Sequence, residues 1–445
     1  MRILIGMREV AGFYSNLARG FHRLGVNADY ITLGSHAFDY PSLGKQPYLL
    51  RMRSWLNYFR VPSKYPLPVR WMASGCAKVI LLFWSLTALF YYDVFVFGYG
   101  TSLLPKNIDL PLLRFLGKTV ISNLGHGSEA RPPYIDGTYQ SMDGTQQPSS
   151  EKLFDASKQI ARKVQTVQRW SRLTIGTPYN FSQFSQRPFI NLFAIGLPFA
   201  GDSEARSTGK SSQINSVSES DHRPVRILHC PSHPAVKGSS YIEQAIQSLR
   251  SKGYSIDFIR LQGKPHREVI AQIQHCDFVV DQVYSDTPLA SFALEAAWFG
   301  KPSVVGGYRL EELKAFFPEG MWPPSKICHP DGLETAIEDL IVNRHARLQL
   351  GQEAMRFARE KWCAQEVAKR FLRLIEGDIP TDWWVDPHHV VYLEGVGQSI
   401  DQSQKNIRLL IEKFGIGSLQ LSQKSALENT FKTFAYEKST EPTKR

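Results

Sequence analysis

Short apolar runs alternate with helical patterns along the first third of the chain. Buried strands are predicted at residues 3–5, 28–33, 94–97 and 119–122. Between the first two runs, apolar side chains recur at helical spacing, namely Phe13, Leu17, Phe21 and Leu24. This order of elements predicts strand-helix-strand units around a parallel sheet.

The same alternation begins again after residue 224. Strands are predicted at 225–229, 256–261, 278–283 and 303–305, with helices from about Ser240, at 269–274 and from Thr287. Two longer helical segments follow at 332–343 and 346–376. We therefore predict an α/β fold of two doubly wound, Rossmann-like halves that face each other across a cleft.

The stretch 277–305 carries the clearest site signal. Its first strand ends in a polar turn, Thr287 and Pro288 have the composition of an N-cap and a first helical position, and Gly300 with Pro302 ends the helix. In such a unit, ligands lie beyond the carboxyl ends of the strands, where free helix amides favour a phosphate. Glu295, further along the helix, is placed to accept hydrogen bonds from sugar hydroxyls.

Composition changes abruptly at residues 201–224, which include few apolar side chains. Such a segment cannot bury enough surface to order itself, so it predicts a flexible polar linker or loop. The predicted domains are therefore an N-terminal Rossmann-like domain at 1–200 and a C-terminal one with closing helices at 225–390. A polar C-terminal tail is predicted at 391–445.

Residues 76–92 form an almost wholly apolar run, interrupted by the small polar side chains of Ser85 and Thr87. The run is at the short limit for crossing a bilayer, and Asp93 and a strand pattern follow it directly. Three interpretations stay open: a buried helix, a helix seated in a membrane surface, and a true membrane span.

The chain has 445 residues, a hydrophobic fraction of 43% and a formal net charge of +11. Its five cysteines are scattered without a Cys-x-x-Cys spacing, which fits a reducing compartment and suggests no disulfide framework or zinc site. The basic balance predicts an anionic partner. Because the Lys and Arg residues are dispersed, we expect no nucleic acid, and a membrane surface is the better interpretation. We predict a cytoplasmic location, with the inner face of the cell membrane as the candidate surface.

Three further segments of the chain carry residues suited to chemistry. Gly12 follows the first strand, where a glycine makes a tight turn or lets a ligand approach the backbone. His126, Glu129 and Arg131 follow the strand at 119–122, as either a polar site or a structural pair with a loop anchor. Lys237 lies between a strand and a helix, either as a cation for a diphosphate or as a solvated loop residue. The spacing Gly-x-Gly-x-x-Gly is absent after the first strand, which disfavours a nicotinamide dinucleotide.

The order of residues also resembles a known family. Asp281-Gln282 at a strand end, followed by Ala-Leu-Glu-Ala-Ala-Trp-Phe-Gly-Lys-Pro, looks like the donor-binding signature of the GT-B glycosyltransferases of family 4. His-Gly-Ser-Glu-x-Arg at 126–131 is similar to a stretch of the same family, as is Val-Ala-Gly-x-x-x-x-Leu-Ala at 10–18.

The resemblance implies roles for these residues. Glu295 would hold the ribose of a nucleotide-sugar, and Lys237 with the amides around Ala290 and Ser291 would hold its diphosphate. His126 would approach the transferred sugar and Gly12 the donor phosphate, while Glu129 and Arg131 would lie on the acceptor side. In the family an arginine precedes the lysine, but here Ser232 and His233 stand in that stretch, and Thr287 replaces the first of two glutamates. We include Ser232, Asp281 and Gln282 in the predicted donor site.

The implied reaction is transfer of a sugar from a nucleotide-diphosphate donor to a hydroxyl acceptor. The acceptor would be a lipid-linked or growing surface glycan, and the reaction would retain the anomeric configuration. No Asp-x-Asp motif stands at a strand end, so no metal is predicted, and the donor is a substrate, with no separate cofactor. A nucleotide-sugar epimerase and a non-catalytic nucleotide-sugar or glycan-binding protein remain as alternatives.

Overall fold

The computed structural model describes residues 1–34, 46–201 and 223–437. The chain forms two compact units that alternate along the sequence. Unit 1 consists of residues 1–130, 159–198 and 364–389, and unit 2 of residues 131–158, 199–363 and 390–445, each as far as described. The predicted linker at 201–224 lies outside the described residues except for Gly201, Arg223 and Pro224.

The strands are short and mostly buried. In chain order they are β1 (Ile3–Met7), β2 (Ala28–Thr32), β3 (Val94–Gly98), β4 (Thr119–Asn123), β5 (Leu173–Gly176), β6 (Phe189–Asn191), β7 (Val225–His229), β8 (Ile256–Arg260), β9 (Phe278–Gln282), β10 (Ser303–Gly306), β11 (Lys326–Cys328) and β12 (Trp384–Val385).

Most helices connect successive strands. The helices are α1 (Phe13–Arg23), α2 (Tyr48–Tyr58), α3 (Leu67–Tyr91), α4 (Leu110–Phe115), α5 (Ser150–Trp170), α6 (Pro178–Phe181), α7 (Leu192–Ile195), α8 (Pro234–Lys237), α9 (Ser239–Ser251), α10 (His266–His275), α11 (Ser291–Trp298), α12 (Leu333–Val342), α13 (Arg344–Glu360), α14 (Ala364–Glu376), α15 (Ile400–Phe414) and α16 (Ser425–Tyr436).

Unit 1 is built on a sheet in the order β12-β6-β5-β4-β3-β1-β2. Its neighbouring strands are parallel except for β12 with β6. The connections from β2 to β3 and from β3 to β4 run against the direction of the one from β1 to β2. Because such crossovers are right-handed, α3 and α4 lie on the face opposite α1.

Unit 2 is built on a parallel sheet in the order β11-β10-β9-β7-β8. Both sheets therefore contain the doubly wound strand order in which the first strand lies between the second and the third. The direction of winding changes between β1 and β3 in unit 1 and between β7 and β9 in unit 2. The carboxyl ends of these strands are where such folds bind ligands. The predicted α/β class with two doubly wound parallel sheets is confirmed.

The division of the chain differs from the predicted domains at 364–389. Helix α14 belongs to unit 1, where Val367, Phe371 and Leu374 join the core that also buries α1. A Cβ atom at Gly20 would lie 2.1 Å from the carbonyl oxygen of Ala364, so glycine permits this close approach. The sequence shows the apolar face of α14 but not which sheet that face covers.

Residues 391–437 are packed into unit 2, whereas a polar tail was the expectation there. Helices α15 and α16 bury one apolar face each, including Leu410 and Phe431. The Tyr134 hydroxyl donates to the backbone oxygen of Leu419 at 3.1 Å, and its ring meets that of Phe431 edge-on. The partners come from residues 131–158, a distant part of the sequence, so local composition alone does not reveal this packing.

Helix α3 is longer than the predicted apolar run at 76–92. It is long and apolar enough to cross a membrane on length and composition alone. One face is buried in unit 1, through Ala73, Ala77, Leu81, Trp84 and Ala88, and the opposite face is exposed. Helix α3 is therefore neither buried on all sides, as in the interior of a domain, nor exposed on all sides, as a helix surrounded by lipid would be.

Candidate active site

Two neighbouring strands of unit 2, β7 and β9, end beside a buried ion pair. The Lys237 ammonium donates to Asp281 Oδ1 at 2.9 Å and to Gln282 Oε1 at 2.7 Å. Lys237 is the last residue of α8, and Gly238 follows it with φ of 70°. A side chain at Gly238 would also meet Val283, which follows β9, so this turn requires glycine. The predicted residues Lys237, Asp281 and Gln282 are thus brought together.

The ion pair is largely shielded from water, but the hydrogen bonding of its carboxylate is incomplete. The side chain of Lys237 is 18% exposed and that of Asp281 only 1%. Asp281 Oδ2 is buried and has no hydrogen-bond partner among the described residues. Such an oxygen is costly to leave unpaired, which favours a ligand or solvent donor beside it.

Helix α11 begins three residues later than predicted. Ala290 is the N-cap and Ser291 the first helical residue, with no side-chain cap among the described residues. The expectation that Thr287 caps this helix is wrong because Thr287 takes part in a local turn. The Ser285 hydroxyl donates to the Thr287 carbonyl at 2.7 Å and accepts from its amide at 3.1 Å. The first amides of α11 therefore lack a side-chain acceptor and can bind an anion.

Glu295 lies one turn into α11 and is almost fully buried. Its Oε1 is 2.8 Å from Nε2 of His266, the first residue of α10. Burial raises the pKa of Glu295, and the hydrogen bond from His266 opposes this shift. His266 was missed in the sequence because α10 follows a different strand, and only the folded sheet places it beside Glu295.

Cys230 shows that these groups share one site. It follows β7 directly, and burial raises its pKa to about 12. That value also includes the nearby carboxylates of Glu295 and Asp281, which raise the pKa, and the charge of Lys237, which lowers it. Cys230 is therefore a thiol within reach of all three charges, and it too was missed in the sequence. Ser232, by contrast, is exposed in the bend before α8.

In unit 1, Gly12 and His126 lie near the carboxyl ends of β1 and β4. Gly12 is the N-cap of α1, in the left-handed conformation with φ of 77°. His126 Nε2 lies 2.7 Å from the hydroxyl of Tyr14, in the first turn of α1. The rings of Phe13 and His126 also meet edge-on. These contacts fix the imidazole beside the start of α1.

Glu129 and Arg131, which were predicted for the acceptor side, are both buried. Glu129 Oε1 accepts the backbone amide of His126 at 2.7 Å and so shapes this loop. Arg131 is 2.5 Å from Asp286 and 3.3 Å from Asp136, both in unit 2. These carboxylates offset the guanidinium charge, so the loop-anchoring role considered for Arg131 fits its surroundings.

Glu9 is a buried carboxylate near the end of β1 that sequence reasoning missed. Its Oε1 accepts the amides of Val10 and Tyr14, and its Oε2 accepts that of Ser15. The carboxylate thus satisfies amides at the start of α1. A glutamate shortly before a predicted helix was the available signal.

We expect His126 to stay neutral over the physiological range because burial lowers its pKa from 6.5 to about 3. The ring signals of His126, assigned by their loss in His126→Gln, should remain those of neutral imidazole between about pH 8 and pH 5 by NMR.

The lowered pKa of His126 makes the stability of the folded protein depend on pH. Below pH 6.5 the unfolded chain gains a proton at His126 that the folded chain does not, so this group's contribution to stability falls as pH decreases towards 3. A midpoint near 6.5 for the His126 ring in the folded protein would contradict the prediction.

No family model and no curated protein matches the chain. Among solved structures, Anabaena Alr3699/HepE in complex with UDP-glucose is 12% identical, with a TM-score of 0.47 over 85% of this chain and 100% of that one. The same protein with UDP and glucose is 11% identical, with a TM-score of 0.45 over 84% and 99%. The glycosyltransferase SnogD from Streptomyces nogalater is 14% identical, with a TM-score of 0.38 over 84% and 100%. At these identities, function has to be inferred from this chain's own side chains.

Proposed function

We propose that the protein is a GT-B glycosyltransferase that moves a sugar from a nucleotide-diphosphate donor to a hydroxyl acceptor. One observation carries the proposal. At the change of winding in unit 2, the structure combines a lysine cation, uncapped helix amides and a buried glutamate. A nucleotide-sugar presents a matching diphosphate and ribose.

The diphosphate is assigned to Lys237 and the first amides of α11. Lys237 uses two of its three N–H donors on Asp281 and Gln282, which leaves one for a phosphate oxygen. Negative charge accumulates on the diphosphate as the glycosidic bond breaks. A fixed cation and oriented amides stabilise that charge more than the charge of the bound donor, and this difference accelerates the reaction.

The ribose is assigned to Glu295. An ionised carboxylate accepts hydrogen bonds from two neighbouring hydroxyls, and such charge-assisted bonds are the strong ones. His266 occupies Oε1 from one side and thereby orients the carboxylate. We propose that His266 positions Glu295 and does not itself take part in the transfer.

The finer parts of the proposal rest on the sequence resemblance to family 4. Retention of anomeric configuration, a mechanism without a metal and a hydrogen bond from His126 to the transferred sugar are proposed on that basis. A lipid-linked or growing surface glycan is the proposed acceptor, in the cytoplasm. No separate cofactor is proposed.

An epimerase is less well supported by the side chains of unit 1. Epimerisation needs carboxylates that exchange protons with the sugar. Glu9 binds three backbone amides, and Glu129 is buried against the amide of His126. Both carboxylates therefore hold the backbone.

A turnover assay on the full chain tests the proposal. UDP-, GDP-, ADP- and dTDP-linked hexoses would be incubated with and without a membrane glycolipid extract, and released nucleoside diphosphate measured. We expect release from one nucleotide class that rises when the extract is added. Interconversion of sugars without release would indicate an epimerase, and saturable binding without either reaction would indicate a binding protein. Either result would overturn the proposed transfer.

A further inference from the structure

An apolar stripe runs along the exposed face of α3. Its residues recur at alternating spacings of four and three, which places them on one side of the helix. They are Met72, Cys76, Val79, Phe83, Leu86 and Phe90, and all are exposed in the described part of the chain. Val79 and Phe90 are 66% and 73% exposed. We refer to these six residues as the α3 stripe.

The opposite face of α3 holds the helix in unit 1. Trp84 and Leu81 are buried there, and Ser85 donates to its own helix at the Leu81 carbonyl. Directly after the helix, the Tyr92 hydroxyl donates to Asp29 Oδ2 at 2.8 Å, which ties this end to β2. If α3 crossed a membrane, its buried face would lose its contacts with unit 1. Any partner therefore has to cover the α3 stripe while α3 stays packed on unit 1.

The charged residues of α2, α3 and the segment between them have a single sign. Residues 46–92 contain no Asp or Glu, and their cations are Arg51, Arg53, Arg60, Lys64, Arg70 and Lys78. The neighbouring helix α2 packs against α3 and exposes Trp55 and Tyr58. Aromatic rings, aliphatic side chains and cations without acids are the composition of helices that lie in a membrane interface.

We propose that α2 and α3 dock on an anionic lipid bilayer, with α3 lying in the plane of the interface. Lipid tails would receive the α3 stripe, and phosphate headgroups would pair with the surrounding Lys and Arg side chains. A second copy of the chain is a poorer occupant. A two-fold contact through the stripe would bring the cations of both copies together, with no acid in residues 46–92 to offset them.

Helix α4 adds exposed apolar side chains on the same face of the sheet. It lies on the same face of the sheet as α3 because both connections cross in the same direction. Phe115, its last residue, is 86% exposed, and Leu112 is exposed one turn earlier. The docking surface therefore includes more than one helix, which raises the affinity for a flat partner. This proposal does not depend on the sugar transfer proposed for the molecule.

Vesicle sedimentation with the full chain tests the docking. Vesicles of phosphatidylcholine alone would be compared with vesicles containing about one third phosphatidylglycerol, at low and high salt. We expect binding to the anionic vesicles that weakens with salt. Val79→Glu together with Phe83→Glu should reduce the partition coefficient at least about tenfold.

The matched control is Val342→Glu with Leu348→Glu, at positions 63% and 46% exposed on helices of unit 2. This control changes net charge equally and should leave binding unchanged. Quenching of Trp71 fluorescence by brominated lipid, assigned with Trp71→Phe, reports insertion directly. Failure of the wild type to sediment or to be quenched would overturn the proposal. So would a wild-type dimer in light scattering that the stripe variant dissociates without any vesicle binding.

Discussion

Replacing Lys237 with alanine is expected to lower kcat/KM for the donor by about two to three orders of magnitude, the usual cost of losing one group that stabilises developing charge. Lys237 is the cation paired with Asp281 at the carboxyl end of β9. Without it, Asp281 would repel the diphosphate, and only the amides of α11 would remain to stabilise the leaving group. Steady-state kinetics with the reactive donor measures the loss.

Stability has to be separated from chemistry in this variant. Removing Lys237 leaves the Asp281 carboxylate buried and uncompensated, which costs about 3–5 kcal/mol. The double variant Lys237→Met with Asp281→Asn removes both charges and should recover much of that loss, as urea unfolding would show. Its activity should remain as low as that of Lys237→Ala.

Lys252→Ala provides a control in the same unit. Lys252 pairs with Glu334 and Glu338 at the surface, where ion pairs contribute little. Activity and stability should stay close to wild type. Turnover near wild type in the folded double variant would contradict the role assigned to Lys237.

Replacing Glu295 with glutamine is expected to weaken nucleotide binding by about 10- to 100-fold, the equivalent of one charge-assisted hydrogen bond. The amide keeps the volume of Glu295 but replaces one acceptor oxygen by an NH2 donor, so it cannot accept one hydroxyl on each of two oxygens. Calorimetric titration with UDP, GDP and ADP would identify the preferred nucleotide and measure the change.

A deoxy analogue shows whether the lost affinity belongs to the ribose. The wild type should bind the 2′-deoxy form of the preferred nucleoside diphosphate more weakly than the ribose form. Glu295→Gln should bind the two forms almost equally, since the partner of the missing hydroxyl has been changed. An unchanged preference for the ribose form in this variant would contradict the assignment of the ribose to Glu295.

His266→Ala should lower affinity less than Glu295→Gln, because it removes the partner that orients the carboxylate and leaves the carboxylate in place. The structure places His266 Nε2 2.8 Å from Glu295. The ribose preference should persist in this variant, in contrast to Glu295→Gln.

The stretch 277–305 was largely predictable because its signals are local. Apolar side chains define β9 and β10, and glycine with proline ends α11, so the predicted and observed elements agree closely. The start of the helix was misplaced by three residues. Ser285 and Thr287 bond to their own turn, and such a local hydrogen bond competes with capping in a way that composition does not reveal.

Long-range packing was the part that could not be predicted. The core partner of α14 is α1, far away in the chain, and Tyr134 meets Phe431 in a region expected to be a tail. The same holds for the site, where His266 and Glu295 come from successive helices that follow different strands, β8 and β9. The residue types in the sequence identified Arg131 and Glu129 as candidate site residues. Their contacts, by contrast, depend on how the loop folds.

A structure with the preferred nucleoside diphosphate bound would show whether the groups at the ends of β7 and β9 form the donor site. We expect ribose hydroxyls within hydrogen-bond distance of the Glu295 carboxylate and diphosphate oxygens beside Lys237 and the first amides of α11. A nucleotide bound at another place, or bound here with its ribose away from Glu295 and its phosphates away from Lys237, would contradict it.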